Sequence, residues 1–80
     1  MYKSIHTAGH KALVAAFIEA RRNAKMTQME LAKKLGWKQS LVARVESGQR
    51  RIDAMDIVLW GKALRIDPRE LFEAVVSAEF

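Results

Sequence analysis

The sequence predicts an all-helical fold of five short helices packed around one core. Three observations carry that prediction. A single proline, Pro68, and four glycines punctuate the 80 residues; apolar residues recur at spacings of three and four; and no alternating β-branched run closes on a hairpin turn. A chain of this length buries only roughly 60% of the surface its unfolded form exposes, so nearly every apolar side chain is needed for packing. One domain is expected, at residues 10–80, behind a flexible N-terminal arm at residues 1–9.

The first helix is expected from about His10 to Asn23, where Leu13, Val14, Phe17, Ile18, Arg21 and Ala24 form a core-facing stripe. The second starts at Thr27, a threonine cap followed three residues later by Glu30, with Met26 and Leu31 at the positions of a hydrophobic staple. Gly36 ends it by taking a left-handed conformation. A third helix, about Gln39 to Ser47, follows after only Trp37 and Lys38 and stops at Gly48, so the two short helices must cross steeply. Asp53 caps a fourth helix carrying Met55, Ile57, Val58, Trp60, Ala63 and Leu64. Asp67, Pro68 and Glu70 supply a cap, a first-turn proline and a capping-box acid for a fifth, with Ile66 and Leu71 as its staple. Residues from Ser77 to Phe80 are expected to fray.

Charge is distributed unevenly. Residues 1–51 hold 11 Lys+Arg against 3 acids, and residues 52–80 hold 3 against 6. A basic half joined to an acidic remainder is the electrostatic footprint of a nucleic-acid binder, and a membrane-surface protein can show it too. The absence of cysteine excludes a disulfide framework, a thiolate zinc site and a nucleophilic thiol. No Ser/His/Asp arrangement, carboxylate pair, phosphate loop or redox motif is visible, so an enzyme is not expected, nor is a cofactor. His6 and His10 stand one helical turn apart, but two ligands without a third do not make a metal site. With no signal peptide and no apolar run of membrane-spanning length, a cytoplasmic protein with no membrane partner is expected.

From Gln28 to Ser47 each apolar or small residue has a steric reason. Ala32 must be small because the next helix crosses closely over it, Gly36 makes the turn, and Leu31, Leu35, Trp37, Val42 and Val45 fill the wedge between the two helices. The full phrase, TQMELAKKLGWKQSLVARVESGQRR, resembles the helix-turn-helix of the lambda repressor and Cro-like family of phage and bacterial regulators, also called the Xre family. The resemblance extends over about residues 11–73. It implies a five-helix lambda-repressor-like DNA-binding domain, with the helix-turn-helix at the second and third helices.

At ~100° per residue the third helix sets Gln39, Ser40, Ala43, Arg44 and Ser47 on one arc and Leu41, Val42 and Val45 on the other. The free arc offers an amide, hydroxyls, a methyl and a guanidinium, the groups that read base edges in the major groove. The resemblance implies that Gln39, Ser40 and Arg44 touch bases, and Ala43 offers its methyl beside them. It also implies that Gln28 holds phosphate and braces Gln39, in keeping with its place at a helix start where free amides favour an anion. Thr27 reads mainly as a cap, whose hydroxyl is also able to meet phosphate. Lys38, Ser47, Arg50 and Arg51 flank or end the third helix and are expected to contact phosphate; for Lys33 and Lys34 a solvated face is the better reading. Lys38 replaces the serine or threonine that often caps this helix in the family. The resemblance further implies a structural ion pair between Arg21 and Glu46, since a mostly buried charge needs a partner.

Trp37 and Trp60 are read as core. Leu71, Phe72, Val75 and Val76 give the fifth helix a broader apolar surface than one small core covers, so a homodimer through this helix is expected. The function that follows is sequence-specific binding of double-stranded DNA by a transcriptional regulator, a repressor by default, dimeric on an inverted repeat. An antitoxin with a toxin partner, a restriction-modification controller, a prophage regulator, and an interaction module that has lost DNA binding stay open as alternatives.

Overall fold

In a computed structural model, which describes residues 7–80, the chain forms five helices: α1 (Ala8–Asn23), α2 (Gln28–Leu35), α3 (Gln39–Glu46), α4 (Ala54–Leu64) and α5 (Pro68–Glu79). Helices α2 and α3 form the tight unit expected from the sequence. The Thr27 hydroxyl accepts the Glu30 N–H while the Glu30 carboxylate accepts the Thr27 N–H at 2.8 Å, so two of the orphan donors at the start of α2 are satisfied. Hydrogen bonds that the Glu30 carboxylate accepts from Thr27, from the backbone N–H first and the side chain second, hold this carboxyl below its ordinary range. Gly36 ends α2 at φ 75°, ψ 24°, a conformation that costs a side chain with a Cβ. The Trp37 N–H then returns to the Ala32 carbonyl at 2.9 Å. Lys38 starts α3 with no side-chain cap, the expected consequence of a lysine at that position.

The core collects Leu13 and Phe17 of α1, Leu31 and Ala32 of α2, Val42 and Val45 of α3, Trp60 and Leu64 of α4, and Leu71 of α5. Its centre is aromatic. Phe17 stacks on Trp60 with ring centroids 4.4 Å apart, Trp37 tilts against Trp60 at 6.2 Å, and the Trp60 Nε1–H donates to the Phe17 carbonyl, which satisfies the one polar atom that burying this indole would otherwise strand. Gly61 lets α4 lie close against the start of α5, because a Cβ there would stand 3.0 Å from the Pro68 Cβ and 3.2 Å from the Ile66 carbonyl oxygen.

Several boundaries and faces differ from the sequence reading. Helix α1 begins at Ala8, two residues before the expected start, because Thr7 caps it by accepting the His10 N–H; residues 8 and 9 are therefore helical. The rest of the expected arm, and His6, lie outside the described residues. The α1 face packed on the core is Leu13, Ala16, Phe17 and Ala20, continued by Ala24 at its C-cap, whereas the half-buried Val14 and Ile18 lie off that face. Small residues face the neighbouring helices because α5 lies closely alongside. On α4, Met55 and Val58 are exposed, since an 11-residue helix apolar on most sides can turn only its Trp60 and Leu64 face inward. At α5 the Asp67 carboxylate accepts from Arg69 N without the expected reciprocal box to Glu70. Nor does the tail fray. The helix continues to Glu79, whose carboxylate accepts the Gly9 N–H and places a negative charge at the positive end of α1, which carries no acid of its own in its first turn.

Candidate nucleic-acid interface

The outer arc of α3 is polar. Gln39, Ser40, Arg44 and Ser47 are exposed and Ala43 is half-exposed, while Val42 and Val45 on the opposite arc are fully buried. The α3 backbone is thus pinned from behind by the core, and its outward side chains are free to meet a ligand. The Ser47 hydroxyl donates to the Arg44 carbonyl at 3.0 Å, at the C-cap of α3.

Behind this arc four polar side chains from three helices form a chain of hydrogen bonds. Arg21 Nε lies 2.7 Å from Glu46 Oε2 and Arg21 Nη2 2.9 Å from Glu46 Oε1, a two-pronged pair whose side chains are 12% and 5% exposed. Arg21 Nη1 also donates to the Met26 carbonyl at 2.8 Å, which ties α1 to the entry of α2. The hydrogen bonding of the guanidinium to the Glu46 carboxylate holds Arg21 above its ordinary range, against the opposing effect of burial. Glu46 Oε1 further accepts from Gln28 Nε2 at 3.0 Å, and Gln28 Oε1 accepts from Gln39 Nε2 at 2.8 Å. The structure therefore brings Arg21, Glu46, Gln28 and Gln39 together.

The flanking basic residues divide. Lys38 and Arg51 are exposed beside α3. Arg50 is not a free cation: its Nη1 donates to Asp56 Oδ2 at 2.8 Å. Asp56 is buried, and the same oxygen accepts the Asp53 N–H while Asp53 accepts the Asp56 N–H. The loop after α3 is thereby clamped to the start of α4. Sequence reasoning missed Asp56; the signal was the spacing Asp53-x-x-Asp56, which a search for glutamate or glutamine at that place passes over. Thr27 is exposed beside Gln28 with its hydroxyl engaged in the cap.

On α5, Leu71 is 3% exposed and closes the core of the monomer itself, so it is withdrawn from the expected dimer surface. Val75 is half-buried against the core. Phe72, by contrast, is 52% exposed, and Val76 is half-buried.

A family model described as "Helix-turn-helix" matches residues 17–71, a stretch that contains α2, α3 and α4 whole. Among solved structures, an XRE-family like protein from Pseudomonas syringae pv. tomato str. DC3000 is 35% identical over 92% of this chain and 90% of that chain, with a TM-score of 0.82. The chain belongs to the XRE-like helix-turn-helix family. This is a family of DNA-binding regulators. The clp gene regulator ClgR from C. glutamicum superimposes with a TM-score of 0.78 over 95% of this XRE-like chain and 97% of its own, at 18% identity, and so shares the fold. No match was found among curated proteins. Among the described residues no helix is long and apolar enough to cross a membrane, and no group of three or more His, Cys, Asp or Glu stands close enough to hold a metal ion.

Proposed function

We propose that this XRE-like chain binds double-stranded DNA sequence-specifically by laying α3 in the major groove, and that it represses transcription as a homodimer on an inverted repeat. The observation that carries this reading is the two-sided character of α3, with Val42 and Val45 fully buried and Gln39, Ser40 and Arg44 exposed. Arg44 suits the two acceptors of guanine, Gln39 suits adenine, and the Ala43 methyl suits thymine. Gln28, Thr27, Lys38, Ser47, Arg50 and Arg51 ring the helix as phosphate contacts that fix its register. For Arg50 this means sharing: one nitrogen stays on Asp56 and the remaining donors turn to the phosphate.

The dimer forms through the outer face of α5, where Phe72 and Val76 supply the apolar contact. A two-fold axis there sets the two α3 helices into successive major grooves on one side of the duplex, ~34 Å apart. Selection of bound sequences from a random DNA pool, followed by footprinting of the selected site, tests the whole reading. The expected result is a palindrome protected in two half-sites. Recovery of unselected sequence, with uniform salt-sensitive binding, would defeat it.

A further inference from the structure

We infer that Glu46, acting through Gln28, determines which end of the Gln39 amide faces outward and thereby sets the choice between adenine and guanine at one position per half-site. The inference rests on the reading of α3 as the groove-entering helix. A glutamine amide has two ends of nearly equal shape, one donating two hydrogen bonds and the other accepting. On a free surface either end can point outward. What removes the ambiguity is a partner able only to donate or only to accept.

This chain has both. Arg21 only donates, and a glutamate carboxylate only accepts. Both oxygens of Glu46 accept from Arg21, and Oε1 takes a second hydrogen bond from the Gln28 side chain. The end of Gln28 that meets this oxygen must be Nε2, so Oε1 of Gln28 turns to Gln39, and Gln39 must answer with Nε2. Each assignment forces the next. Gln39 then offers outward an oxygen with its lone pairs and one N–H, the acceptor and donor that match the amino group and N7 of adenine. Were the relay reversed, Gln39 would spend its oxygen on Gln28 and present two N–H donors, which match O6 and N7 of guanine. Gln28 keeps one N–H free for a phosphate oxygen in the orientation observed. Glu46 is therefore a positioning residue: it touches no base, and it fixes the polarity of a side chain that does.

Glu46→Gln tests this directly, because an amide at that position can accept from or donate to Gln28 and so permits both polarities. Gln28→Ala breaks the relay while leaving the Arg21 and Glu46 pair in place, and serves if Glu46→Gln folds poorly. Leu64→Ala, a core change away from the relay, controls for lost stability. For each purified full chain, affinity is measured by competition between the selected operator and its adenine-to-guanine variant at the Gln39 position, below the melting temperature of all four proteins. The wild-type chain should prefer adenine, and both relay variants should lose at least about fivefold of that preference, with guanine gaining in Glu46→Gln. Leu64→Ala should keep the full ratio. An unchanged ratio in both relay variants, an equal loss in Leu64→Ala, or a wild-type preference for another base there overturns the inference while α3 still reads the groove. A wild-type chain with no base preference at any position removes the groove reading itself, and the inference with it.

Discussion

Arg50 reaches across the loop after α3 to place Nη1 2.8 Å from Oδ2 of Asp56, so a residue with the charge of a phosphate contact is also a structural clamp. Asp56 is buried and caps α4 in the same geometry. Arg50→Ala should therefore lower the melting temperature as well as the affinity for DNA, because it leaves a buried carboxylate without its cation. Lys38→Ala separates the two effects. It should weaken binding to all sequences about equally and lower the salt slope by about one unit, with no fall in melting temperature. Salt-dependent titrations paired with thermal melts check this, and equal melting temperatures for wild type and Arg50→Ala would remove the clamp.

Glu46→Ala should destabilise the fold by about 3 kcal/mol or more, since it leaves Arg21 charged and nearly buried without a partner. Replacing Arg21 and Glu46 together by apolar residues should recover much of that loss. Chemical denaturation of the single and double variants measures both. A double variant as unstable as the single one would mean that the pair itself, rather than the stranded charge, carries the energy.

Arg44→Ala should cost about 1 to 3 kcal/mol on the selected site and relax the preference at one base position per half-site. Arg44 makes no side-chain ion pair among the described residues and stands exposed on α3, so stability should hardly change. Binding to the selected site and to a scrambled duplex, measured side by side, decides between base reading and a general charge effect.

The capping box predicts an acid-side dependence. Glu30 is held below the ordinary glutamate value of 4.5 by its hydrogen bonds with Thr27. A depressed folded-state pKa stabilises the fold above the unfolded pKa, and the contribution disappears as pH falls through the folded value. Glu30→Gln keeps the box geometry but cannot titrate. Melting temperature plotted against pH should thus fall less steeply below pH 4.5 for Glu30→Gln than for wild type. Parallel curves would show that Glu30 contributes nothing to acid unfolding.

Phe72→Asp and Val76→Asp should each shift sedimentation toward the monomer at micromolar concentration and remove cooperative binding to a palindrome, while leaving the fold intact because neither side chain is fully buried. A wild-type chain that is monomeric at every concentration and still binds a palindrome without cooperativity would defeat the dimer and leave the groove reading standing.

The helix-turn-helix was legible in the sequence because its determinants are local. Thr27 and Glu30 are three residues apart, Gly36 marks one backbone angle, and the α3 arcs follow from helical periodicity alone. What escaped depends mostly on partners far along the chain. Nothing near Gly9 announces a hydrogen bond to Glu79 that docks the tail, whereas the start of α1 at Ala8 rests on Thr7, a cap as local as Thr27. Spacings of three and four carry the α1 stripe through Val14 and Ile18, whereas in the fold the smaller alanines at 16 and 20 are packed against the core. Leu71 and Phe72 are adjacent and similar in hydropathy, and only the orientation of α5 tells which one is core and which is surface. At the interface, the family resemblance implied that Arg21 pairs with Glu46 and Gln28 with Gln39, but the link from Glu46 through Gln28 to Gln39 needs both α2 and α3 in place before it can be seen.

The aromatic centre gives the molecule an optical reporter of its own. Trp60 is fully enclosed and stacked on Phe17, whereas Trp37, only half-buried, stands two residues before α3. The two indoles are 6.2 Å apart and differ in enclosure, so removing either one leaves a reporter of a different place in the fold. Emission from the enclosed ring follows cooperative unfolding, and quenching of the other follows events at the entrance to α3. A Trp37→Phe chain would isolate the first signal, and a Trp60→Phe chain the second, which allows folding and docking to be timed in a stopped-flow cuvette without any attached dye.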